Sequence, residues 1–496
     1  MPFSTNLLTQ EIYEIPSDLD DSDEIQKFLA RNSNKKIVVV QGLGFVGAVM
    51  AIVCANALTE EYAVIGVDLP GETTYWKIRS INDGVFPLIA DDPKISQFFE
   101  NSRKKGNLLA TCDPVAYKYA DIVIVDVNLD VQKSSREDGA LVDFEVDLTG
   151  FRNAIYSIAN NCRDDLLVLV ETTVPPGTCQ QVVKPIFERA LEARGLPTTN
   201  YLLGHSYERV MPGPEYIDSI REFPRVYSGL DDASADAVEV FLRSIIDTSV
   251  CSLTRLENTT ATEMCKVLEN SYRAMNIAFA IEWSRFAEEA GVDLYKMIDA
   301  IRVRKTHANL MYPGVGVGGY CLTKDPLLAS WARKSLFGAD SDLQVSVNSV
   351  SLNDQMPRFA YERLVEVVGK VDGLHVVFLG ASYRGDVGDT RFTPVEKLLR
   401  LVEDAGANTF IHDPFLSYWE EMSRNITCVL DEVLSQKVDI IIISAGHSEY
   451  KDPAAINKML ALAPLRIFDT VGLLNDDAIN ILQTKHTVQV LGRGDL

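Results

Sequence analysis

The stretch from Lys35 to Asp68 constrains the fold of this chain more than any other. It reads KKIVVVQGLGFVGAVMAIVCANAL and, after a short acidic link, YAVIGVD. The order is an apolar strand from Ile37 to Gln41, a glycine turn, a helix from about Val46 to Leu58 and a second apolar strand. This order is typical of a parallel strand–helix–strand unit. It predicts a Rossmann-like, doubly wound α/β domain.

The glycine turn GLGFVG carries Gly42, Gly44 and Gly47 in a GxGxxG pattern, with Phe45 and Val46 inside it. In such a turn the first glycine makes the bend, the second admits a pyrophosphate and the third lets helix pack on strand. Asp68 ends the next strand, where a carboxylate accepts hydrogen bonds from the adenosine ribose and repels a 2′-phosphate. The pattern therefore predicts NAD as cofactor.

Two later regions repeat the strand and helix alternation. Strands are expected at 121–128 and 166–173, and Thr172 and Thr173 end the second one, near the expected cofactor crevice. From about residue 370 a second Rossmann-like domain is expected, with strands at its start and at 438–446 and 466–470. Its first loop lacks GxGxxG and carries instead two arginines, Arg384 and Arg391, which suit phosphate or a sugar acid or are plain surface residues.

Between these regions lies a long helical stretch, 258–292, without internal glycine or proline until Gly291. Lys266 and Asn270 are four residues apart on it and share a face, which is also the pattern of a solvated stripe. The fold expected is two Rossmann-like domains joined by this central helix. The expected segments are an acidic extension (1–34), an NAD-binding domain (35–250), a central helical domain (251–365) and a C-terminal Rossmann-like domain (366–496).

Composition excludes several classes of function. The net charge of −23 argues against nucleic acid and anionic membranes as partners, because both need a basic surface. The eight cysteines form no CxxC pair, which disfavours a zinc site and a disulfide framework, so no metal is expected. The N-terminus lacks the pattern of a signal peptide, and no apolar run reaches the ~18 residues of a membrane helix. A cytoplasmic location is predicted.

The segment YPGVGVGGYCLTKDP (312–326) places Cys321 behind a run of glycines. Glycines allow a close backbone approach to a ligand, so this thiol suits a nucleophile facing a pocket. A lone cysteine is also often a small buried apolar residue, and the segment alone leaves both interpretations open.

Six motifs in order resemble one family, the nucleotide-sugar 6-dehydrogenases, also called the UDP-glucose/GDP-mannose dehydrogenase family. They are GLGFVG (42–47), TTVPPGT (172–178), YERVMPG (207–213), CKVLEN (265–270), GGYCLTKD (318–325) and LGASYRGDVGDTR (379–391). The resemblance covers about 35–480 and implies four-electron oxidation of a primary alcohol to a uronic acid with two NAD. It also implies that Cys321 holds the aldehyde as a thiohemiacetal, which is then oxidised to a thioester. With the resemblance, 251–365 is expected to be the dimerisation domain with the Cys321 loop, and 366–496 the UDP-sugar-binding domain.

The resemblance assigns further roles residue by residue. Lys266 stabilises the developing oxyanion and Asn270 donates to it, Asp325 and Glu208 orient or deprotonate the hydrolytic water, and Thr173 helps to hold that water. Arg391 reaches the cofactor, while Arg209, Tyr312, Gly318 and Arg384 join the substrate site with Glu208, Lys266 and Asn270.

The substrate is less constrained. Glu208 to Gly213 reads ERVMPG, a form typical of UDP-N-acetylhexosamine dehydrogenases, and Arg209 is a donor for an acetamido carbonyl unless it pairs with Glu215 or Asp218. The CLTKD sequence more closely resembles that of UDP-glucose and GDP-mannose enzymes. Tyr207, Tyr320 and the charged loop after 126–131 depart from the family. UDP-N-acetylhexosamine is favoured, with UDP-glucose as the alternative.

Two other classes of function stay open from the residues alone. A two-electron dehydrogenase of the 3-hydroxyacid or 6-phosphogluconate type would not need Cys321, and a non-catalytic sugar-nucleotide binder would keep the fold without turnover. A homodimer or higher homo-oligomer formed through the long helix is expected from its excess of apolar positions. The resemblance also implies that a basic residue crosses the interface, with Arg302, Arg304 and Lys305 as candidates.

Overall fold

A computed structural model describes residues 2–6, 8–17, 19–88, 92–210 and 213–496. The strands are β1 (Phe3–Thr5), β2 (Ile12–Glu14), β3 (Lys36–Gln41), β4 (Tyr62–Val67), β5 (Leu108–Thr111), β6 (Ile122–Val125), β7 (Asp130–Ser135), β8 (Leu141–Asp147), β9 (Leu167–Val170), β10 (Leu202–His205), β11 (Arg225–Gly229), β12 (Leu253–Arg255), β13 (His375–Leu379), β14 (Asn408–His412), β15 (Tyr418–Trp419), β16 (Arg424–Asn425), β17 (Ile440–Ile443), β18 (Arg466–Asp469) and β19 (Thr487–Val490).

The helices are α1 (Ser22–Arg31), α2 (Phe45–Ala55), α3 (Tyr75–Asp83), α4 (Pro93–Lys105), α5 (Thr149–Asn161), α6 (Lys184–Ala193), α7 (Tyr216–Arg221), α8 (Asp232–Ile245), α9 (Thr259–Ala290), α10 (Leu294–Arg302), α11 (Asp325–Ser335), α12 (Gln344–Val368), α13 (Pro394–Asp404), α14 (Leu430–Leu434), α15 (Pro453–Ala461) and α16 (Asp476–Gln483).

The described chain divides into two compact units. The first comprises 1–130, 146–267 and 332–339, and the second comprises 131–145, 268–331 and 340–496. Helix α9 runs through the boundary at residue 267, so it contributes to both. The four-segment division expected from the sequence stays a prediction.

The first unit is built on an eight-stranded sheet in the order β12-β11-β10-β9-β6-β3-β4-β5. Its pairs are parallel except β10 with β11. Strand β3 is flanked by β4 on one side and β6 on the other, so the order reverses there. In an open α/β sheet, ligands bind outside the carboxyl ends of the strands at such a switch point.

The second unit is built on a parallel five-stranded sheet in the order β14-β13-β17-β18-β19. Alternate residues of β13 enter separate cores: Val376 and Phe378 pack on one face, Val377 and Leu379 on the other. A sheet buried on both faces by helices is the doubly wound arrangement. The predicted fold class, two Rossmann-like sheets with a long central helix in the chain between them, is confirmed.

Two boundaries refine the sequence expectations. The long helix ends at Ala290, and the left-handed Gly291 (φ 70°) follows it, as a helix C-terminus prefers. The charged segment after 126–131 forms the two-stranded sheet β7–β8. Lys133 of β7 places its Nζ 2.6 Å from Oδ2 of Asp354 on α12. None of the described helices is long and apolar enough to cross a membrane.

Candidate active site

The glycine turn of the first unit is shaped by close backbone packing. Gly42 has φ 97°, and a Cβ there would lie 2.1 Å from the carbonyl oxygen of Asp126. A Cβ on Gly47 would lie 1.8 Å from the carbonyl oxygen of Gly42, so both positions exclude any side chain. Around Gly44 the chain offers open space, with no described atom within 4 Å of a Cβ position. The turn is therefore open at Gly44, at the start of α2, where a pyrophosphate would approach.

Asp68 follows β4 and faces this turn. Its Oδ2 accepts from the N–H of Leu43 at 2.9 Å and its Oδ1 from the N–H of Leu69 at 2.8 Å. Burial raises the pKa of this carboxyl, although the backbone N–H groups oppose the shift. The side chain is half-buried, so lone pairs remain open to a ribose. Glycine cradle and acid together fit a dinucleotide, which supplies the hydride acceptor when bound.

The loop that carries Thr172 and Thr173 is fixed from beneath. Thr172 Oγ1 donates to the carbonyl oxygen of Val125 at 3.0 Å and accepts from the N–H of Val127, so its hydroxyl is structural. Thr173 is half-buried. Downstream, the carboxylate of Glu263 on α9 accepts from the N–H groups of Gly177 and Cys179 at 2.6 and 2.7 Å. Burial raises the pKa of Glu263 to about 7.

Lys266 and Glu208 meet in the first unit. Lys266 Nζ donates to the main-chain oxygen of Glu208 at 2.9 Å and lies 3.9 Å from its Oε1. It also lies 5.3 Å from the ring centre of Tyr207, which is fully buried. Glu208 Oε2 accepts from the N–H of Val210. The ammonium and the carboxylate are therefore neighbours, both largely shielded from water.

Arg209 is engaged with its own surroundings. Its guanidinium donates to the main-chain oxygen of Pro224 and to the hydroxyl of Tyr207, and it stacks 5.3 Å above the Tyr207 ring. Asp218, one of the alternative partners considered for Arg209, instead binds Lys94 Nζ at 2.6 Å. Met211 and Pro212, in the same YERVMPG motif, lie outside the described residues.

A cluster of buried charges lies beneath the glycine turn. Glu171, at the end of β9, receives a hydrogen bond from Arg225 Nη2 at 2.9 Å, and both side chains are fully buried. Within the described residues, Asp126 Oδ2, Glu171 Oε2 and two nitrogens of Arg225 have no hydrogen-bond partner. Burial, and then the charges of Glu171 and Glu208, raise the pKa of Asp126 well above its ordinary value. Burial also raises the pKa of Glu171 to about 7.

In the second unit, the residues that follow Cys321 form a closed network. Asn270 Nδ2 donates to Asp325 Oδ2 at 2.6 Å, and Lys324 Nζ donates to Asp325 Oδ1 at 2.9 Å. Asp325 is fully buried and is the first residue of α11, and its N–H donates to the carbonyl oxygen of Cys321 at 2.9 Å. Cys321 itself is exposed. The fold thus joins Asn270 to Asp325 through their side chains and Asp325 to Cys321 through the main chain.

The loop that carries Cys321 packs against the loop that carries the arginines. A Cβ on Gly318 would lie 2.4 Å from Cβ of Tyr383, and one on Gly319 would lie 3.0 Å from the Tyr383 ring. The N–H of Gly319 donates to the main-chain oxygen of Arg391 at 3.0 Å. We call residues 312–324 the thiol loop and 380–392 the arginine loop. Glycine at 318 and 319 is therefore required by the second loop's proximity.

The two predicted arginines differ in their surroundings. Arg391 forms a two-pronged ion pair with Asp389, with Nη2 to Oδ2 at 2.6 Å and Nε to Oδ1 at 2.9 Å. Arg384 is exposed. Tyr312 stacks on Tyr295 with ring centres 5.7 Å apart and is covered by the guanidinium of Arg302 at 4.8 Å.

Sequence reasoning missed three supporting residues. Lys324 is adjacent to Asp325 in the motif, but nothing in the spacing indicates that its ammonium turns back onto that carboxylate. Glu263 lies one helical turn before Lys266, and this i, i+3 spacing was the available signal. Asp126 falls within the strand expected at 121–128, but the sequence does not indicate that its Oδ2 is buried, because that burial depends on strand order. Among the described residues, no group of three or more His, Cys, Asp or Glu side chains is placed to hold a metal ion.

Comparison with known proteins agrees with this geometry. Three models of one family match the chain in order: the NAD-binding domain of the UDP-glucose/GDP-mannose dehydrogenase family at 35–245, its central domain at 260–352 and its UDP-binding domain at 377–476. UDP-N-acetyl-D-mannosamine dehydrogenase from Methanocaldococcus jannaschii is 29% identical over 448 residues, covering 90% of this chain and 94% of the relative.

Solved structures agree as well. The NDP-N-acetyl-D-galactosaminuronic acid dehydrogenase of Methanosarcina mazei is 27% identical with a TM-score of 0.75, covering 95% of this chain and 98% of its own. The UDP-D-ManNAc dehydrogenase of Pyrococcus horikoshii is 26% identical with a TM-score of 0.76, covering 93% and 100%. This chain is an NAD-dependent nucleotide-sugar dehydrogenase and belongs to the UDP-glucose/GDP-mannose dehydrogenase family.

Proposed function

We propose that this enzyme oxidises the C6 hydroxyl of a UDP-N-acetylhexosamine to the uronic acid, through a covalent intermediate on Cys321. The observation that carries the proposal is the buried Asp325, whose two carboxylate oxygens accept from Asn270 and Lys324 and whose N–H donates to the main-chain oxygen of the exposed Cys321. A buried charged network joined to the backbone of an exposed cysteine is typical of a site with a thiol nucleophile.

The proposed reaction has four steps. The C6 alcohol loses a hydride to NAD and a proton to a base, which gives the aldehyde. The Cys321 thiol adds to the aldehyde carbon, and the thiohemiacetal loses a second hydride to NAD and a proton, which gives a thioester. Water then attacks the thioester carbon, and the carboxylic acid leaves as the thiol is restored. Each sugar oxidised therefore yields two NADH.

Further side chains have proposed parts in these steps. Lys266 and Asn270 would stabilise negative charge on the C6 oxygen, as a cation and an amide donor do for an oxyanion. Glu208, with Thr173, would hold the hydrolytic water, and Asp325 would orient or deprotonate it.

Other assigned residues would bind the ligands. Gly42, Gly44, Phe45, Val46 and Gly47 would take the pyrophosphate and Asp68 the ribose of NAD, with Arg391 toward the cofactor. On the sugar-nucleotide side, Tyr312, Gly318, Arg384 and Arg209 would contact the substrate. For Arg209 to meet an acetamido carbonyl, its guanidinium would share donors with Tyr207 and Pro224.

The choice of an acetamido sugar rests on relatives. Proteins named UDP-N-acetyl-D-mannosamine dehydrogenase and NDP-N-acetyl-D-galactosaminuronic acid dehydrogenase match most of this chain. The product, a UDP-uronic acid, would suit polysaccharide biosynthesis, and a cytoplasmic location stays a prediction.

A substrate panel with NADH counting tests the proposal. Purified protein is incubated with NAD and UDP-GlcNAc, UDP-GalNAc, UDP-ManNAc or UDP-glucose, and absorbance at about 340 nm is compared with sugar consumed. We expect two NADH per sugar and the highest kcat/KM for an acetamido sugar. A tenfold or greater preference for UDP-glucose would replace the acetamido assignment, while one NADH per sugar would exclude the thioester.

Substitution of the thiol separates the enzyme from a non-catalytic binder. Cys321→Ala should abolish acid formation and keep NAD binding, whereas Cys428→Ala, the matched change at another exposed cysteine, should leave turnover unchanged. Normal acid formation by Cys321→Ala would refute the covalent mechanism. A wild-type protein that binds UDP-sugars without producing NADH would be a binder.

We also propose a homodimer formed through α9. Within the second unit its exposed face carries Leu268, Tyr272, Phe279, Trp283 and Phe286, each between 41% and 66% exposed. Their spacing places them along one side of the helix, and the last three rings contact in series. A face this apolar along a helix is typical of a surface that another chain covers.

The dimer is tested by light scattering at micromolar concentration. Phe286→Glu should shift the protein toward monomer, while Val240→Glu, an equally exposed apolar position on α8, should not. A monomeric wild-type protein would contradict the proposal. Among the basic residues considered for the interface, Arg302 is already engaged with Tyr312 and the main-chain oxygen of Ala308, which favours Arg304 or Lys305 as the crossing residue.

A further inference from the structure

The N-terminal segment, residues 1–34, lies outside the family's NAD-binding model, which begins at residue 35. It nevertheless packs onto the first unit. Ile15 joins the core that includes β3 and β4, and Ile25 and Phe28 of α1 are buried. The segment carries seven acidic and two basic residues. It is therefore an integral part of the NAD-binding domain, although the family fold does not require it.

Ser4 of this segment caps helix α3. Among the described residues, Thr74, the N-cap of α3, makes no side-chain cap hydrogen bond. Its hydroxyl donates instead to the main-chain oxygen of Leu69 at 2.6 Å. Ser4 Oγ accepts from the N–H of Trp76 at 3.0 Å, the second position of the helix, which an N-cap hydroxyl ordinarily satisfies. The same oxygen donates to the main-chain oxygen of Glu72 at 2.6 Å.

These two contacts fall directly after Asp68. Glu72 and Trp76 lie four and eight residues beyond it, in the stretch that leads from the carboxyl end of β4 into α3. Ser4 is fully buried, so water cannot replace its hydroxyl at either partner. The stretch 69–76 thus depends on the N-terminal segment for its shape.

A second contact braces the neighbouring strand end. Asp21 accepts from the hydroxyl of Thr111, the last residue of β5, at 2.5 Å, and its N–H donates to Asp113 Oδ2 at 2.9 Å. Asp113 in turn caps the short helix that contains Tyr117, whose hydroxyl donates to Gln41, the residue before Gly42. The segment therefore contacts the carboxyl end of β5 and the stretch that follows β4, on the adenosine side of the sheet.

We propose that the N-terminal segment is a fixed clamp on the adenosine half of the NAD site, with Ser4 as its positioning residue. By capping α3 and holding Glu72, Ser4 keeps the stretch after β4 in the conformation that presents Asp68 to the ribose. The inference rests on NAD binding by the family fold and not on the proposed sugar or on the thiol chemistry.

Calorimetric titration with NAD, AMP and UDP tests it. Ser4→Ala should weaken both NAD and AMP about fivefold, because the cap hydroxyl is lost, while UDP binding stays unchanged. Hydrogen exchange at 69–80 should rise in the same variant. Thr9→Ala is the matched control, because its hydroxyl lies in the exposed turn of the same hairpin and accepts from the N–H of Glu11.

Each outcome decides the inference. Weaker AMP binding with intact UDP binding supports it, since general destabilisation would affect both ligands. Unchanged AMP binding by Ser4→Ala overturns it, whatever happens to hydrogen exchange. If Ser4→Ala does not fold, Ser4→Cys keeps the size of the side chain and weakens the acceptor, and the same criteria apply. Asp21→Ala, at the independent contact, should weaken AMP in the same direction.

Discussion

The two Rossmann-like sheets carry an acid at the same place and use it differently. Asp68 follows β4 and accepts from the N–H of Leu43, just after the turn of Gly42. Asp413 follows β14 and accepts from the N–H groups of Ala381 and Ser382, just after the turn of Gly380. Gly42 and Gly380 have φ of 97° and 106°, and each donates its N–H to the last residue of the second strand.

The two acids differ in how many hydrogen bonds each accepts from the protein. Asp413 is fully buried, and it also binds the Ser382 hydroxyl at 2.9 Å, the N–H of Phe415 and His447 Nε2 at 3.1 Å. Asp68 is half-buried and keeps lone pairs free of the protein. The same position of the fold is therefore left partly exposed in the first sheet and is completed by protein groups in the second. We expect the second sheet to bind its ligand through the arginine loop instead.

The largest expected effect comes from Asp413→Ala. Its loss leaves two buried N–H groups and a buried imidazole without their acceptor, so the free energy of unfolding of the second unit should fall by about 3 kcal/mol. Hydrogen exchange read by mass spectrometry at β13 and β14 measures this locally. Asp68→Ala should cost less than about 1 kcal/mol at β3 and β4, because water reaches that site. Equal losses would remove the distinction between the two acids.

A smaller effect is expected on cofactor choice. Asp68→Ser removes the carboxylate that repels a 2′-phosphate, so the preference for NAD over NADP should drop by about tenfold or more. The ratio of the two dissociation constants, measured by calorimetry, reports it. Asp386→Ser, at an exposed acid of the arginine loop, serves as the comparison and should leave the ratio unchanged. A wild-type ratio near one would mean that Asp68 does not meet the ribose.

The smallest effect concerns pH and a third acid, Asp126. Because burial raises its pKa above the ordinary 3.8, the folded state binds more protons than the unfolded state, and stability falls as pH rises through that window. Asp126→Asn should therefore gain about 1 kcal/mol at pH 8 relative to pH 5 in urea unfolding. A pH-independent difference for Asp126→Asn would contradict the assignment.

For Asp413 the pH dependence of stability has the opposite sign. Burial alone would raise the pKa of Asp413, but His447 and backbone N–H groups hold it low. The stabilisation from Asp413 is therefore present above its unfolded-state pKa and is lost as pH falls.

The sequence predicted the sheets because their strands are continuous apolar runs and their turns need glycine. It predicted α9 to within two residues at either end, since Gly291 marks its end and Asn258 its start. The sequence could not distinguish Asp68 from Asp413, because each is an acid that directly follows an apolar strand. The contact that separates them comes from His447, which is distant in the sequence and binds only Asp413 of the two. The number of hydrogen bonds that a carboxylate accepts depends on the tertiary structure.

The candidate site shows the same limit. The family resemblance assigned Asn270 and Asp325 to one site, and the structure joins their side chains by a hydrogen bond. The motifs did not predict that Lys324 turns onto its neighbour, or that Asp126 Oδ2 is buried, since the second of these depends on packing between distant elements. The role of Ser4 was equally invisible, as its partners are about seventy residues away.

The packing of the thiol loop on the arginine loop has a consequence for engineering. Gly318 and Gly319 have no room for a side chain against Tyr383, and Gly319 is hydrogen-bonded to the backbone of Arg391. A thiol loop transplanted alone from a relative with a different substrate preference would not fit against Tyr383. Exchanging the thiol loop and the arginine loop together keeps the contact between them, so the two loops form one unit for transfer between enzymes.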